Sequence, residues 1–184
     1  MAAGAAAGNI PRSARLLKDA GNQFLAAKKY ADSIDCYFQA LELCPDFPEA
    51  HYNLGVAFLK GYKALALALH HFEQYLGLRP DARDAEAVRA LIGALRERVP
   101  PLPDSRGEVL GVVAGRLWVS GSDWAQPGDR IEIAEKGKAP RAELYAGYVY
   151  PDGVLTQRIR DQETLDGLKP GLVAVNASQR ILPR

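Results

Sequence analysis

Gly21 and Gly55 stand 34 residues apart, and so do Phe24 and Phe58. Tyr37 and Phe72, Ala40 and Tyr75, and Pro45 and Pro80 each recur after 35. A period of this length means that one supersecondary unit is used twice and that each copy needs a neighbour to cover its open face. The change from 34 to 35 places one extra residue between Phe58 and Phe72, near Gly61.

Each unit reads as two helices. Leu17, Ala20, Gly21 and Phe24 form the i, i+3, i+4, i+7 stripe of the first, and Ile34, Tyr37, Phe38 and Leu41 form that of the second. Gly21, Gly55 and Ala68 are small where antiparallel helices must approach, and Phe24, Tyr30, Tyr37, Phe58 and Phe72 fill the space around them. Pro45 and Pro80 end the second helices, since proline cannot continue the hydrogen-bond ladder. A fifth helix is expected in "DARDAEAVRALIGALRERV", with Ala87, Leu91, Ala94 and Leu95 as its packed side and Arg83, Arg89, Arg96, Glu97 and Arg98 in water. Such a helix caps a stack too short to cover itself.

These landmarks resemble the tetratricopeptide repeat over residues 14 to 81, and to about residue 98 with the capping helix. The resemblance implies that the first helix of each unit lines a concave face, where an extended peptide of a partner protein binds. Carried over position by position, that face presents Lys18, Asn22 and Leu25 from the first unit and Asn53, Val56 and Lys60 from the second. Asn both donates to and accepts from a peptide backbone, and Lys holds a carboxylate. "LKDAGNQF" with Asn53 is also similar to the subgroup that clamps the acidic C-terminus of heat-shock chaperones. The chain departs from it in the third unit, where Asp84 and Val88 stand at the positions of the two further bases. His51, His70 and His71 match no metal-binding spacing and are expected in surface or packing roles.

The charge balance narrows the partners. Residues 106 to 184 hold 11 Lys and Arg against 10 Asp and Glu, leaving 12 against 12 in the remainder. No basic stripe is present, so no nucleic-acid partner is expected. No apolar run approaches the roughly 20 residues of a membrane span, and no membrane insertion is expected. Residues 1–13 read as a disordered tail or a cloning remnant. Cys36 and Cys44 lie eight residues apart on one helix, too far to bridge, and read as reduced buried thiols. The expected compartment is cytoplasmic, or periplasmic if a signal peptide has been removed.

Residues 99–107, "VPPLPDSRG", mark a proline-rich linker. Beyond it, "EVLGVV", "RLWVS", "DRIEIAE", "ELYAGYVY", "VLTQRIR" and "GLVAVNA" are short alternating runs separated by turn residues, with "PDG" as the strongest hairpin signal. "DQETLDGL" fits a single helical turn. The expectation for 108–184 is a small all-β barrel or sandwich. "WAQPGDRIEIA" and "GLKPGLVAVNA" echo each other 43 residues apart, each with a Pro-Gly turn before a strand. This half is similar to small β-barrel modules of bacterial envelope and flagellar assembly proteins, which also use a PGD turn before a core strand.

Chemistry is sparse here. No histidine follows residue 71 and no cysteine follows residue 44, so neither a nucleophile–base pair nor a metal cluster can be built in this half. Trp118 and Trp124 are the possible anchors for a ligand or partner if exposed, with core packing as the competing role. The chain is therefore expected to be α+β in two domains. Tetratricopeptide hairpins with a capping helix occupy 14–98, and the small β domain follows the linker. The expected function is that of a non-enzymatic adaptor without cofactor or metal, binding a protein or peptide in its concave groove. The alternative is a β domain that binds a ligand, glycan or cell-wall component and is docked to an assembly by the repeats.

Overall fold

The computed structural model describes residues 10–99 and 107–176, and the chain divides into two compact units, Met1–Pro100 and Pro101–Arg184. The expected tail before residue 10 and most of the expected linker lie outside the described residues.

The described residues of the first unit form five helices: α1 (Arg12–Ala26), α2 (Tyr30–Leu43), α3 (Pro48–Tyr62), α4 (Leu65–Leu78) and α5 (Ala85–Arg96). α1 begins inside the stretch expected to be tail, with Pro11 at its N-cap. Proline also opens α3 from its first position, where the missing N–H has no intrahelical role. Pro45 and Pro80 follow the last residues of α2 and α4 by two positions, as the repeat predicts.

Close approach explains the two periodic glycines. A methyl group at Gly21 would stand 2.5 Å from Cε1 of Tyr37, and one at Gly55 would stand 3.0 Å from Cε1 of Phe72. Each hairpin thus seats an aromatic ring of its second helix on a bare backbone of its first. Ile34, Tyr37, Leu54, Phe58, Leu67 and Phe72 are fully buried or nearly so. The inter-helix turns carry left-handed Lys28 (φ 59) and Lys63 (φ 54), themselves 35 residues apart. The extra residue is therefore absorbed in the last turn of α3, where Gly61 lies against the ring of Tyr30.

In α5 the packed face differs from the expectation. Ala85, Val88, Ile92 and Leu95 are buried, whereas Ala87 and Ala94 are exposed and Leu91 is half-buried. Both series have helical spacing, but Val88 and Ile92 offer more apolar surface than alanines do, and burial follows area. The basic residues Arg83, Arg89, Arg96 and Arg98 remain exposed, with Arg96 paired to Glu73 of α4.

The second unit is a six-stranded antiparallel sheet of β1 (Val109–Val113), β2 (Arg116–Ser120), β3 (Arg130–Ala134), β4 (Ala142–Tyr150), β5 (Gly153–Thr156) and β6 (Val173–Asn176), with a single-turn helix α6 (Gln162–Gly167). The strand order is β1-β2-β5-β4-β3-β6, and the sheet curls into a half-barrel. Its two edge strands touch at one end through the antiparallel Glu108–Val173 bridge, supported by Val109 N–H to the Leu172 carbonyl at 2.8 Å. Val109, Leu117, Val119, Ile131, Ile133, Ala146 and Val154 point into the core. The Pro151-Asp152 turn joins β4 to β5, and Asp161 caps α6 by accepting from the Thr164 N–H at 2.7 Å.

The Pro-Gly echo has a structural counterpart. Gly128 and Gly171 have φ of 90° and 89°, the left-handed conformation that a type II turn requires. β3 and β6, which follow these turns, pair with each other and place Glu132 opposite Val175, 43 residues on. Counting the β1–β6 bridge, exchanging β1, β2 and β3 with β4, β5 and β6 leaves every strand neighbour unchanged. The strand pairing of the half-barrel thus has the form of two interlocked three-stranded halves.

Candidate functional site

All six expected groove residues lie on successive turns of α1 and α3, and two of them, Asn22 and Asn53, meet across the seam between repeats. Asn22 Oδ1 lies at the centre. It accepts a hydrogen bond from the Tyr37 hydroxyl at 2.9 Å and another from Nδ2 of Asn53 at 2.8 Å. One carbonyl oxygen therefore ties α1 to its own hairpin partner α2 and to the next repeat at α3. The remaining amide atoms, Nδ2 of Asn22 and Oδ1 of Asn53, have no protein partner among the described residues. Both residues are half-buried, so this donor and acceptor face water at the surface of the seam.

Burial pushes the Tyr37 phenol well up from its ordinary range, so the ring remains a neutral donor. Lys18, one turn before Asn22, is half-buried and pairs with its neighbour Asp19. Leu25 and Val56 are half-buried apolar positions, while Lys60 is exposed and makes no ion pair among the described residues. The structure thus joins Asn22 and Asn53 directly, and places Lys18, Leu25, Val56 and Lys60 on the same two helices without bonding them to that pair.

The third-unit positions do not supply bases. Asp84 accepts a 2.6 Å hydrogen bond from the Tyr75 hydroxyl, and Val88 is buried on the packed face of α5. Arg89 donates to the Pro80 carbonyl and pairs with Glu86.

Tyr37 was not among the expected groove residues, yet the sequence carried a signal for it. Shifted by the repeat period, Asn22 falls on Val56 and Tyr37 falls on Phe72. The hydrogen-bonded pair of the first repeat is thus replaced by an apolar pair in the second. A second omission is His51 with His71, which meet Nδ1 to Nδ1 at 3.0 Å in the α3–α4 core. Cys36 and Cys44 are half-buried free thiols, and burial together with Asp35 and Asp32 raises the Cys36 thiol.

In the half-barrel, Trp118 is buried and packs edge-on against Tyr150 at 5.7 Å. Trp124 is half-buried against the core, and its indole N–H donates to the carbonyls of Ser120 and Gly121 at 2.9 and 2.7 Å. Among the described residues, no group of three or more His, Cys, Asp and Glu side chains is placed to hold a metal, and no helix is long and apolar enough to cross a membrane.

Two antiparallel hairpins of 34 to 35 residues, each seating an aromatic ring on a glycine and followed by a capping helix, define a helical-repeat unit. The family model described as TPR repeat matches residues 21–61, the seam between the two hairpins, and these are tetratricopeptide repeats. No curated protein matches the chain. Among solved structures, the chain is similar to the first TPR of Spaghetti (RPAP3) bound to HSP90 peptide SRMEEVD, at 24% identity with a TM-score of 0.43, covering 47% of this chain and 68% of that one. Repeats of this family are protein-interaction modules.

Proposed function

We propose that the chain is a non-enzymatic adaptor that binds an extended segment of a partner protein across α1 and α3. The observation that carries this reading is the Asn22–Asn53 pair: it spans two repeats and leaves one amide donor and one amide acceptor side by side and unmatched. The N–H and C=O of one residue in an extended chain point to the same side and offer the complementary donor and acceptor, which sequence-independent backbone recognition requires. Lys18 and Lys60 add positive charge, and Leu25 and Val56 add apolar area for side chains of the bound segment. With Asp84 held by Tyr75 and Val88 in the core, recognition does not depend on a clamped C-terminal carboxylate.

The rival reading places function in the half-barrel, through Trp118 or Trp124. The burial of one ring and the double hydrogen bond of the other support the adaptor over this rival. The test is affinity capture from source-cell lysate with the intact chain and a Lys18→Ala/Asn53→Ala/Lys60→Ala variant, which spares the Tyr37–Asn22 bond. Loss of a captured partner by the folded variant supports the groove; identical capture by both chains sinks the proposal.

A further inference from the structure

His51 and His71 are buried together between α3 and α4, with relative exposures of 9% and 4%. The ring of His71 stacks on Phe58 at 5.8 Å and stands edge-on to Phe38. Their geometry fixes where the protons sit. Nε2 of His51 is 2.9 Å from the Pro45 carbonyl, an acceptor only, so Nε2 carries a hydrogen and Nδ1 of neutral His51 is bare. The 3.0 Å contact between the two Nδ1 atoms is then a bond donated by His71 and accepted by His51. A second proton on His51 can go only to Nδ1, and there it either faces the N–H of His71 or drives that hydrogen to Nε2 of His71.

We propose that this pair is an acid-release latch: a proton taken up by His51 Nδ1 ends the bond donated by His71, places an imidazolium in the α3–α4 core and loosens α3 from α4. In either tautomer of His71 the added charge lies among buried rings, with His71 against His51 and with Phe58 and Phe38 about His71, where it is poorly solvated. Asp46, in the α2–α3 connection, and the Pro45 carbonyl favour the proton on His51, and His70 of α4 opposes it. Burial comes first for both rings, holding His51 below the ordinary imidazole range and His71 well below it, with His51 and His70 adding to the effect on His71. α3 also carries Asn53, two residues after His51, so loosening this helix slackens the Asn22–Asn53 bond.

The direction with pH follows from linkage. An unfolded imidazole titrates near pH 6.5, and a folded one held lower disfavours the proton. Stability is complete above about pH 6.5 and is lost as pH falls below it, by up to about tenfold in the folding equilibrium constant per ring per pH unit. The test is thermal and urea unfolding of the full chain, followed by helical ellipticity at 222 nm between pH 7 and pH 5.5, above the range where ordinary carboxylates titrate. The folding constant is expected to fall by at least about tenfold in the intact chain. In His51→Leu/His71→Phe, where both polar partners become apolar, it is expected to fall less than about threefold. Equal falls in the two proteins, or no fall in the intact chain, overturn the latch. If the variant does not fold, the imidazole carbon resonances of the intact chain decide. His51 is expected to gain its proton together with loss of amide protection in α3 and α4. Titration of His51 alongside His70, with that protection unchanged, overturns the proposal.

Discussion

Replacing Gly21 by alanine sets two opposed effects against each other. At an interior helical position the change relieves backbone entropy and is worth about 1 kcal/mol in favour of the helix. Against this, the added methyl would stand 2.5 Å from Cε1, 2.8 Å from Cδ1 and 3.0 Å from Cζ of Tyr37. Ordinary contact begins near 3.4 Å, so the ring must retreat by roughly 1 Å, and overpacking of this kind costs about 1–3 kcal/mol. Tyr37 is fully buried and cannot swing into water. The retreat also stretches its 2.9 Å bond to Asn22, a further loss of about 1 kcal/mol. Summed, Gly21→Ala is expected to destabilise the repeat unit by about 1–3 kcal/mol. Gly93 in α5 is the control, since it is exposed and a methyl there meets nothing within 4 Å. Gly93→Ala is expected to stabilise by about 0.5–1 kcal/mol. At about 4–8 °C per kcal/mol for a unit of this size, the two variants should move Tm in opposite directions by readily measured amounts at 222 nm. If Gly21→Ala raises Tm as Gly93→Ala does, the ring-on-glycine account of the hairpin is wrong.

Further outcomes can be checked with similar means. Tyr37→Phe keeps the ring but removes its hydroxyl, so it is expected to cost about 1 kcal/mol in urea unfolding and to leave Asn22 less fixed. In the half-barrel, a methyl at Gly153 would collide with the Val119 carbonyl and stand 2.8 Å from Cη2 of Trp118. Since backbone cannot yield as a flexible side chain does, Gly153→Ala is expected to lower stability by about 2 kcal/mol or more, read from tryptophan fluorescence. Gly167→Ala, with nothing within 4 Å, is expected to leave that signal within about 0.5 kcal/mol of the original and serves as its control.

How far the sequence foretold this molecule depended on how much of each feature was local. Helices α1 to α4 were legible because a repeat tests every assignment twice: Gly21 with Gly55, and Pro45 with Pro80, each vouch for the other. α5 has no second copy, and its alanines fit either face, so its rotation was misread until Val88 and Ile92 were seen in the core. The strands emerged from alternation and from Pro-Gly and Pro-Asp-Gly turns, which are local signals. Closure of the two edges at Glu108 and Val173 was not legible, because it joins residues 65 positions apart that carry no distinctive chemistry. The His51–His71 pair was missed for a related reason. His71 is adjacent in sequence to His70, whereas the ring that it bonds lies on the preceding helix, 20 residues back.

The six residues of the proposed groove were legible as positions on α1 and α3, and the repeat itself supplies an argument for the role proposed for them. The second repeat shows what packing alone asks of these positions, namely Val56 and Phe72, the aromatic ring seated on Gly55. The first repeat keeps the ring on its glycine but places Asn22 and the Tyr37 hydroxyl where the second has apolar groups. A hydrogen bond of this kind returns about 1 kcal/mol net and exposes the pair to a larger loss if either partner fails, so an apolar pair is the safer choice for stability alone. What the polar pair adds is orientation: with Tyr37 fixed by burial, Asn22 is held in one rotamer, and through it Asn53 is held in another. Two amides held in fixed orientation lose less entropy on meeting a partner than two that are free, which favours recognition over packing as the role of this seam.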